Sequence, residues 1–255
     1  MPRVSRLSVA PVKSLRLVHP EAVVLDAHGA VGNRRFYLVD DDGRVLNGVR
    51  HGRLVAIRAS FDAAADRLRL TFPDGRDVEA AVEVGASVTS PFGPGRTVTG
   101  HLVEGPWAAA LSAYVGRPLR LVRVDLTHGL PVVSPVSLVA AESVEAVARW
   151  SGRDELDPRR FRMLIDVDGC RPHQEDEWIG ARVSIGEAVV RVVEPTARCG
   201  TTQRDPTTGV NDVEVLRVLK GYRGFRPGGR TLDLGVYAAV ERPGTVRVGD
   251  RVEPL

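Results

Sequence analysis

Residues 54–75 read LVAIRASFDAAADRLRLTFPDG, and this stretch decides the class of the fold. It contains two short β-type runs, residues 54–61 and 67–72, and the turn sequence Pro73-Asp74-Gly75 follows directly. Short runs of this kind, separated by glycine and proline turns, favour a β-barrel or a β-sandwich over alternating βαβ units.

The same pattern continues along the rest of the chain. A hairpin is predicted where residues 182–185 and 189–193 flank Gly186-Glu187-Ala188. Further strands are predicted at residues 6–12, 22–25, 35–41, 119–124, 161–167, 181–193, 232–240 and 246–252.

Three short helices interrupt the strands. Apolar residues at helical spacing predict helices at residues 106–114, from an N-cap at Ser143 to Trp150, and at about 212–222. The predicted fold is therefore mostly β, of the barrel type, with a few short α-helices. The glycine and proline cluster at residues 91–95 suggests two packed lobes, residues 1–100 and 101–255.

Composition limits the function classes. The 255 residues are 43% hydrophobic and 26% charged, which is typical of a soluble globular protein. No apolar run approaches the roughly 20 residues of a membrane helix, and the first residues lack the apolar stretch of a signal peptide. We therefore expect a cytoplasmic protein that does not bind membranes. The basic residues are scattered and aromatic residues make up only 5%, so nucleic-acid binding is not expected.

Two cysteines are candidates for chemistry. Cys199 lies beside Arg198, near a turn dense in hydroxyl groups, an environment that favours the thiolate needed by a soft metal or a nucleophile. The alternative is a cysteine packed at the end of a strand. Cys170 and His173 form half of a zinc pattern that Cys199 could extend, but a simple packed cysteine is favoured for Cys170.

Basic residues at strand ends are candidates for anion binding. Lys13 and Ser14 follow an apolar strand, where an ammonium and a hydroxyl suit a phosphate, although a solvated surface lysine is the alternative. Two arginine clusters enter strands, and each is an anion clamp if it faces a cleft and solvated charge if it does not. These clusters are Asn33-Arg34-Arg35-Phe36 and Arg159-Arg160-Phe161-Arg162. Ser134 adds a hydroxyl in a loop.

Several common catalytic motifs are absent from the sequence. It contains no dinucleotide fingerprint opening a helix, no phosphate-binding Walker loop, no Gly-x-Ser-x-Gly elbow and no His-Glu-x-x-His pair. These absences argue against common nucleotide enzymes, hydrolases of the elbow type and zinc proteases.

The motifs occur in an order that resembles MOSC-domain proteins, the superfamily of the molybdenum cofactor sulfurase C-terminal domain. Their N-terminal β-barrel domain is suggested by Pro11-Val12-Lys13-Ser14-Leu15, Gly32-Asn33-Arg34-Arg35-Phe36 and His51-Gly52-Arg53-Leu54. The MOSC domain is suggested by Arg160-Phe161-Arg162, Asp176-Glu177-Trp178-Ile179-Gly180, Arg198-Cys199, Asp205-Pro206-Thr207-Thr208-Gly209, Tyr237 and residues 243–250. The resemblance runs nearly end to end.

The resemblance implies an N-terminal β-barrel domain packed on a MOSC β-barrel domain that binds the molybdenum–pterin cofactor. The chain is similar to the mitochondrial amidoxime-reducing components, and this resemblance implies that Cys199 is the protein ligand to molybdenum. The other cofactor-binding residues that it implies are Lys13, Ser14, Arg35, Ser134, Arg162 and Arg198.

The implied activity is reduction of N-hydroxylated compounds. Because the chain shows no flavin fingerprint and no clustered cysteines, electrons would come from an external flavoprotein or iron–sulfur protein. The alternative is a sulfur-carrier or cofactor-delivery protein that uses a Cys199 persulfide. Two positions depart from cofactor-binding relatives: Leu164 stands where they usually have asparagine, and Ala197 where some have a polar residue.

Overall fold

The protein is described here from a computed structural model, which covers residues 1–46, 48–92, 95–125 and 134–255. The prediction of a mostly β protein with short helices is confirmed. The strands are β1 (Arg3–Leu7), β2 (Ala22–Asp26), β3 (Gly29–Ala30), β4 (Phe36–Val39), β5 (Arg58–Asp62), β6 (Arg67–Thr71), β7 (Asp77–Ala81), β8 (Glu83–Pro91), β9 (Thr97–Glu104), β10 (Arg120–Val124), β11 (Val136–Ala140), β12 (Ile165–Asp168), β13 (Arg182–Ile185), β14 (Ala188–Ala197), β15 (Asp233–Arg242), β16 (Gly244–Arg247) and β17 (Val252–Pro254). The α-helices are α1 (Trp107–Val115), α2 (Ala141–Trp150) and α3 (Val215–Tyr222), and 3-10 helices cover Gly52–Ala56, Pro158–Phe161, Gln174–Trp178 and Gly200–Gln203.

The largest sheet has seven strands in the order β1-β12-β11-β15-β14-β13-β17. All its neighbouring strands are antiparallel except β11 and β12. Its two edges approach one another, since Arg3 bridges Arg251 and the Val252 amide donates to the Pro2 carbonyl at 3.0 Å. The sheet is therefore a nearly closed barrel. Alternating side chains, such as those of Val183 and Ile185, fill its interior.

The N-terminal part of the chain forms a second core. A four-stranded sheet in the order β4-β10-β9-β8 and a three-stranded sheet in the order β5-β6-β7 surround this core. Helix α1 closes it with the fully buried Trp107, whose indole N–H donates to the Leu68 carbonyl of β6 at 3.1 Å. A buried indole needs such a partner, so this bond fixes the helix on the sheet.

Strands from the two predicted lobes pair with one another across the predicted boundary. Strand β1 pairs with β12, and β2 pairs with β16, so the first 30 residues pack against strands from the C-terminal part of the chain. Strand β9 runs through residue 100, and β10 returns to pair with β4 and β9. The division into residues 1–100 and 101–255 stays a prediction.

Local patterns account for most of the elements. The hairpin of β13 and β14 is confirmed, with Val183 opposite Val190 and Gly186 in the turn at a φ of 55°. Helix α1 is also confirmed, and Gly116 ends it in the left-handed conformation.

Four boundaries differ because tertiary contacts compete with local preference. Ser143 is fully buried and donates to a Glu175 carboxylate oxygen at 2.8 Å, so the prediction that it caps α2 is wrong and the helix begins at Ala141. Asp212 accepts two hydrogen bonds from Arg160 and lies outside α3. The strands predicted at residues 54–61 and 161–167 both begin as 3-10 turns.

Candidate functional site

A cavity of about 450 Å³ lies where the N-terminal segments meet the seven-stranded sheet. Lys13 and Ser14 approach it from the loop after β1, and Arg34 from the loop before β4. Residues 160–164 form another wall of the cavity. Residues 196–199, at and just after the end of β14, line the same cavity. Tertiary structure thus joins segments that are more than 180 residues apart.

The lining of this cavity is strongly basic. Among the residues that the structure describes, no aspartate or glutamate lines it. A concave surface with one sign of charge concentrates ligands of the opposite sign. The basic lining residues are Lys13, Arg34, Arg160, Arg162 and Arg198.

Lys13 is held in place by backbone contacts. Its amide donates to the Phe36 carbonyl at 2.8 Å, and its ammonium donates to the Leu46 carbonyl at 2.9 Å. Burial, and then the charges of Arg34 and Arg162, lower the pKa of Lys13 to about 7. An anion in the cavity would counteract these effects and keep the ammonium charged.

Arg34 and Arg162 both adopt left-handed backbone conformations, with φ values of 55° and 53°. The Arg34 amide donates to the Ala10 carbonyl at 2.7 Å, and the Arg162 guanidinium donates to the Leu15 carbonyl at 2.8 Å. Burial, followed by the Arg34 charge, lowers the pKa of Arg162 to about 10. Such conformations interrupt strand alternation, so neither cluster follows the alternating faces expected from the sequence.

Arg35 is a predicted site residue that the structure does not bring into the cavity. Arg34 lines the cavity, whereas the Arg35 carbonyl accepts from the Val124 amide at 3.0 Å in the N-terminal sheet. Burial, and then the nearby charge of Arg123, lower the pKa of Arg35. The left-handed turn at Arg34 separates the two neighbours. No alternation rule identifies this turn.

The wall beside β14 carries unsatisfied polar atoms. The Arg198 guanidinium donates to the Phe161 carbonyl and to the Met163 sulfur at 3.1 Å, and it lies 5.5 Å from the centre of the Phe161 ring. In the described part of the chain, neither its buried Nε nor the buried hydroxyl of Thr196, a residue only 2% exposed, has a hydrogen-bond partner. Because buried polar groups are normally hydrogen-bonded, these two lining residues indicate a place for a polar ligand.

Cys199 follows this wall directly and is exposed. Its thiol lies 3.5 Å from the Thr201 hydroxyl. Burial lowers the pKa values of both Lys13 and Arg198, and the nearby Cys199 partly opposes that lowering. The cysteine is therefore accessible from the cavity and surrounded by positive charge.

Cys170 has a different environment. It packs against the core of the seven-stranded sheet, and burial followed by the charges of Glu142 and Glu175 raises the pKa of its thiol to about 12. In the described part of the chain, no three His, Cys, Asp or Glu side chains come together as a metal site. The zinc site of Cys170, His173 and Cys199 therefore does not form.

The two predicted serines do reach the cavity. Ser14 is 8% exposed and has a φ of 73°, and Ser134 is 7% exposed. Arg160 is a lining residue with another task, because its guanidinium bonds Asp212 and the carbonyls of Thr202 and Arg204. Arg160 therefore anchors the loop that follows Cys199.

Sequence profiles agree with this arrangement. The profile of the MOSC N-terminal beta barrel domain matches residues 1–99, and that of the MOSC domain matches residues 125–253. The chain belongs to the MOSC family.

Relatives within the MOSC family match over nearly the whole chain. Mitochondrial amidoxime-reducing component 1 of Homo sapiens is 39% identical over 280 residues, covering 98% of this chain and 82% of that protein. The protein of the same name in Danio rerio is 28% identical over 279 residues, with coverages of 98% and 83%. The one in Mus musculus is 27% identical over 285 residues, with coverages of 98% and 81%.

Leu164 and Ala197, the two positions where the sequence predicts a departure from cofactor-binding relatives, both line the cavity. Leu164 is 4% exposed and packs into the barrel core, while its amide donates to the Ser137 hydroxyl at 3.0 Å. Ala197 is exposed at the end of β14. Neither side chain can donate a hydrogen bond. Within the described residues, no helix has the length and apolarity to cross a bilayer.

Proposed function

We propose that this MOSC protein is a molybdenum-cofactor-binding oxidoreductase that reduces N-hydroxylated compounds. The observation that carries the proposal is the cavity itself, which brings Cys199 together with Lys13, Arg34 and Arg162 in a lining whose described residues include no carboxylate. MOSC membership and relatives named amidoxime-reducing components support the same chemistry.

The residues present fit a phosphate-bearing pterin. Phosphate is bound by ammonium and guanidinium groups, and Lys13, Arg34 and Arg162 supply three of them. Arg198 and Thr196 have buried polar atoms that no described residue hydrogen-bonds, and a polar ring could satisfy them. Ser14, Ser134 and Arg198 stay candidate cofactor-binding residues. Arg35 stays a prediction from its motif alone, and Arg34 is added from the structure.

Cys199 fits the role of a metal ligand because a thiolate is a soft donor that molybdenum accepts. When bound, the cofactor supplies two-electron redox chemistry at the metal, while the protein binds and orients it. The Cys199 thiol is exposed beside the cavity, so it reaches a ligand without rearrangement of the core.

The overall reaction breaks an N–O bond, forms an N–H bond and releases water, which requires two electrons and two protons. The electrons come from an external flavoprotein or iron–sulfur protein, because the chain has only two cysteines and no flavin motif. We propose no nucleic-acid or membrane partner. The cytoplasmic location stays a prediction.

The proposal is tested by metal and pterin analysis of the protein expressed in a host that makes the cofactor. We expect near-stoichiometric molybdenum in the wild type, its loss in Cys199→Ala and its retention in the matched control Cys170→Ala. Wild-type protein without molybdenum, carrying a persulfide on Cys199 in mass spectra, would refute the proposal and favour the sulfur-carrier alternative.

A further inference from the structure

A serine–histidine pair connects the cavity with solvent. Ser8 is 5% exposed and lines the cavity, and its hydroxyl lies 3.1 Å from Nδ1 of His19. His19 itself is an exposed residue on the loop between β1 and β2. The pair therefore spans the wall of the cavity, with one end inside and the other at the surface.

Hydrogen bonding determines which ring nitrogen carries the proton. Nδ1 of His19 also lies 3.2 Å from the Leu7 carbonyl oxygen, which can only accept. Nδ1 therefore bears the hydrogen and donates, and the Ser8 oxygen accepts from it. In the part of the chain that the structure describes, no other group hydrogen-bonds the Ser8 hydroxyl. Its own hydrogen is thus free to point into the cavity.

The surroundings of His19 lower the pKa of its ring. Burial is the largest effect that lowers its pKa, and the charges of Arg6 and Arg159 act in the same direction. The Leu7 carbonyl and Asp157 oppose them. A neutral imidazole with a hydrogen on Nδ1 can accept a proton at Nε2 while it donates from Nδ1.

We infer that Ser8 and His19 form a relay that delivers protons from solvent to the reaction in the cavity. This inference rests on the proposed function, since reduction of an N-hydroxyl group consumes two protons. The donors run in one direction, from His19 to Ser8 to the cavity, as proton delivery requires.

Each delivery step balances. A hydronium ion gives a proton to Nε2 of His19 and becomes water, the Nδ1 proton moves to the Ser8 oxygen, and the Ser8 hydroxyl proton moves to the oxygen that leaves the substrate. The electron pair that replaces the N–O bond comes from the external donor. Exchange with solvent then returns the ring to the Nδ1–H form.

The test separates a relay from a structural contact. His19→Gln keeps a side-chain donor near Ser8 but cannot exchange protons between two nitrogens. We expect its kcat with chemically reduced viologen as donor to fall about 10-fold or more, with unchanged KM and molybdenum content. Added imidazole should restore His19→Ala, and Ser8→Thr should retain the activity that Ser8→Ala loses. His101→Gln is the matched control, because His101 bonds Asp125 at 2.7 Å outside the cavity.

Two outcomes overturn the relay. One is that the wild type contains molybdenum and is active, and the His19→Gln variant has the same kcat. The other is an NMR spectrum showing the hydrogen of the His19 ring on Nε2, a measurement that needs neither cofactor nor activity. Wild-type protein without molybdenum or activity would instead refute the proposed function, and the NMR result would still decide the direction of the hydrogen bond.

Discussion

The buried carboxyl group of Glu175 gives a prediction with a magnitude that follows from the structure. Glu175 is fully buried beneath α2, where one carboxylate oxygen accepts from Ser143 at 2.8 Å. Burial is the main cause that raises its pKa from 4.5 to about 7. The protonated form is therefore favoured in the folded protein.

The pH dependence follows from this difference. Below pH 4.5, both the folded and the unfolded chain hold the proton, so the stabilisation by protonated Glu175 is fully present. As the pH rises to 7, only the folded state keeps it, and folding stability falls. A difference of 2.5 pKa units corresponds to about 3 kcal/mol of unfolding free energy.

Glu175→Gln removes this titration while keeping an acceptor for Ser143. We expect the variant to match the wild type near pH 4.5 and to be about 3 kcal/mol more stable at pH 8. Urea unfolding followed by circular dichroism at several pH values measures this difference. The control is Glu145→Gln, which lies on α2 with a side chain 64% exposed. A difference below about 1 kcal/mol at pH 8, or one independent of pH, would contradict the reasoning.

Three further predictions concern the cavity and its supports. Arg34→Gln should lower retained pterin about 10-fold, whereas Arg35→Gln should leave it unchanged, and equal losses in both would show that the left-handed turn does not select Arg34. Gly209→Ala should lower stability by about 1–3 kcal/mol, because the added Cβ would lie 2.1 Å from the Gly52 carbonyl oxygen; Gly75→Ala, with a similar φ but open space, should have the smaller effect in thermal unfolding. Arg160→Met should lower unfolding free energy by about 2 kcal/mol by leaving Asp212 without its buried partner, and an unchanged urea midpoint would show that the loop after Cys199 does not depend on this pair.

Elements built from local contacts were predictable from sequence. The hairpin of β13 and β14 follows from strand alternation around Gly186, and α1 follows from apolar spacing ended by Gly116. Ser143 shows where this reasoning stops. Its preference for a helix N-cap is real, but a carboxylate 32 residues away forms a better-defined bond in the core. Propensity describes only what a residue does among its sequence neighbours.

Some residues of the candidate site were likewise predictable from the sequence, and others were not. Motifs identified Cys199, Lys13 and Ser14, because residue type and order along the chain are properties of the sequence. The choice between Arg34 and Arg35 depended on one left-handed backbone turn, and Ser8 carried no sequence signal at all. Thr196 was likewise visible only through its buried hydroxyl.

The sequence alone determined the β-rich fold class, the family and the cysteine beside its arginine, because turn residues, period-two alternation and motif order act over short distances. Only the tertiary structure decided which basic residues line the same cavity, where no described lining residue is a carboxylate. It also decided that Cys170 lies apart from Cys199 and that Ser8 contacts His19. The physical reason is that burial, the distances between charges and the direction of hydrogen bonds depend on the three-dimensional positions of the residues. Here they arise between segments that are distant in the sequence, as the pairing of β1 with β12 illustrates.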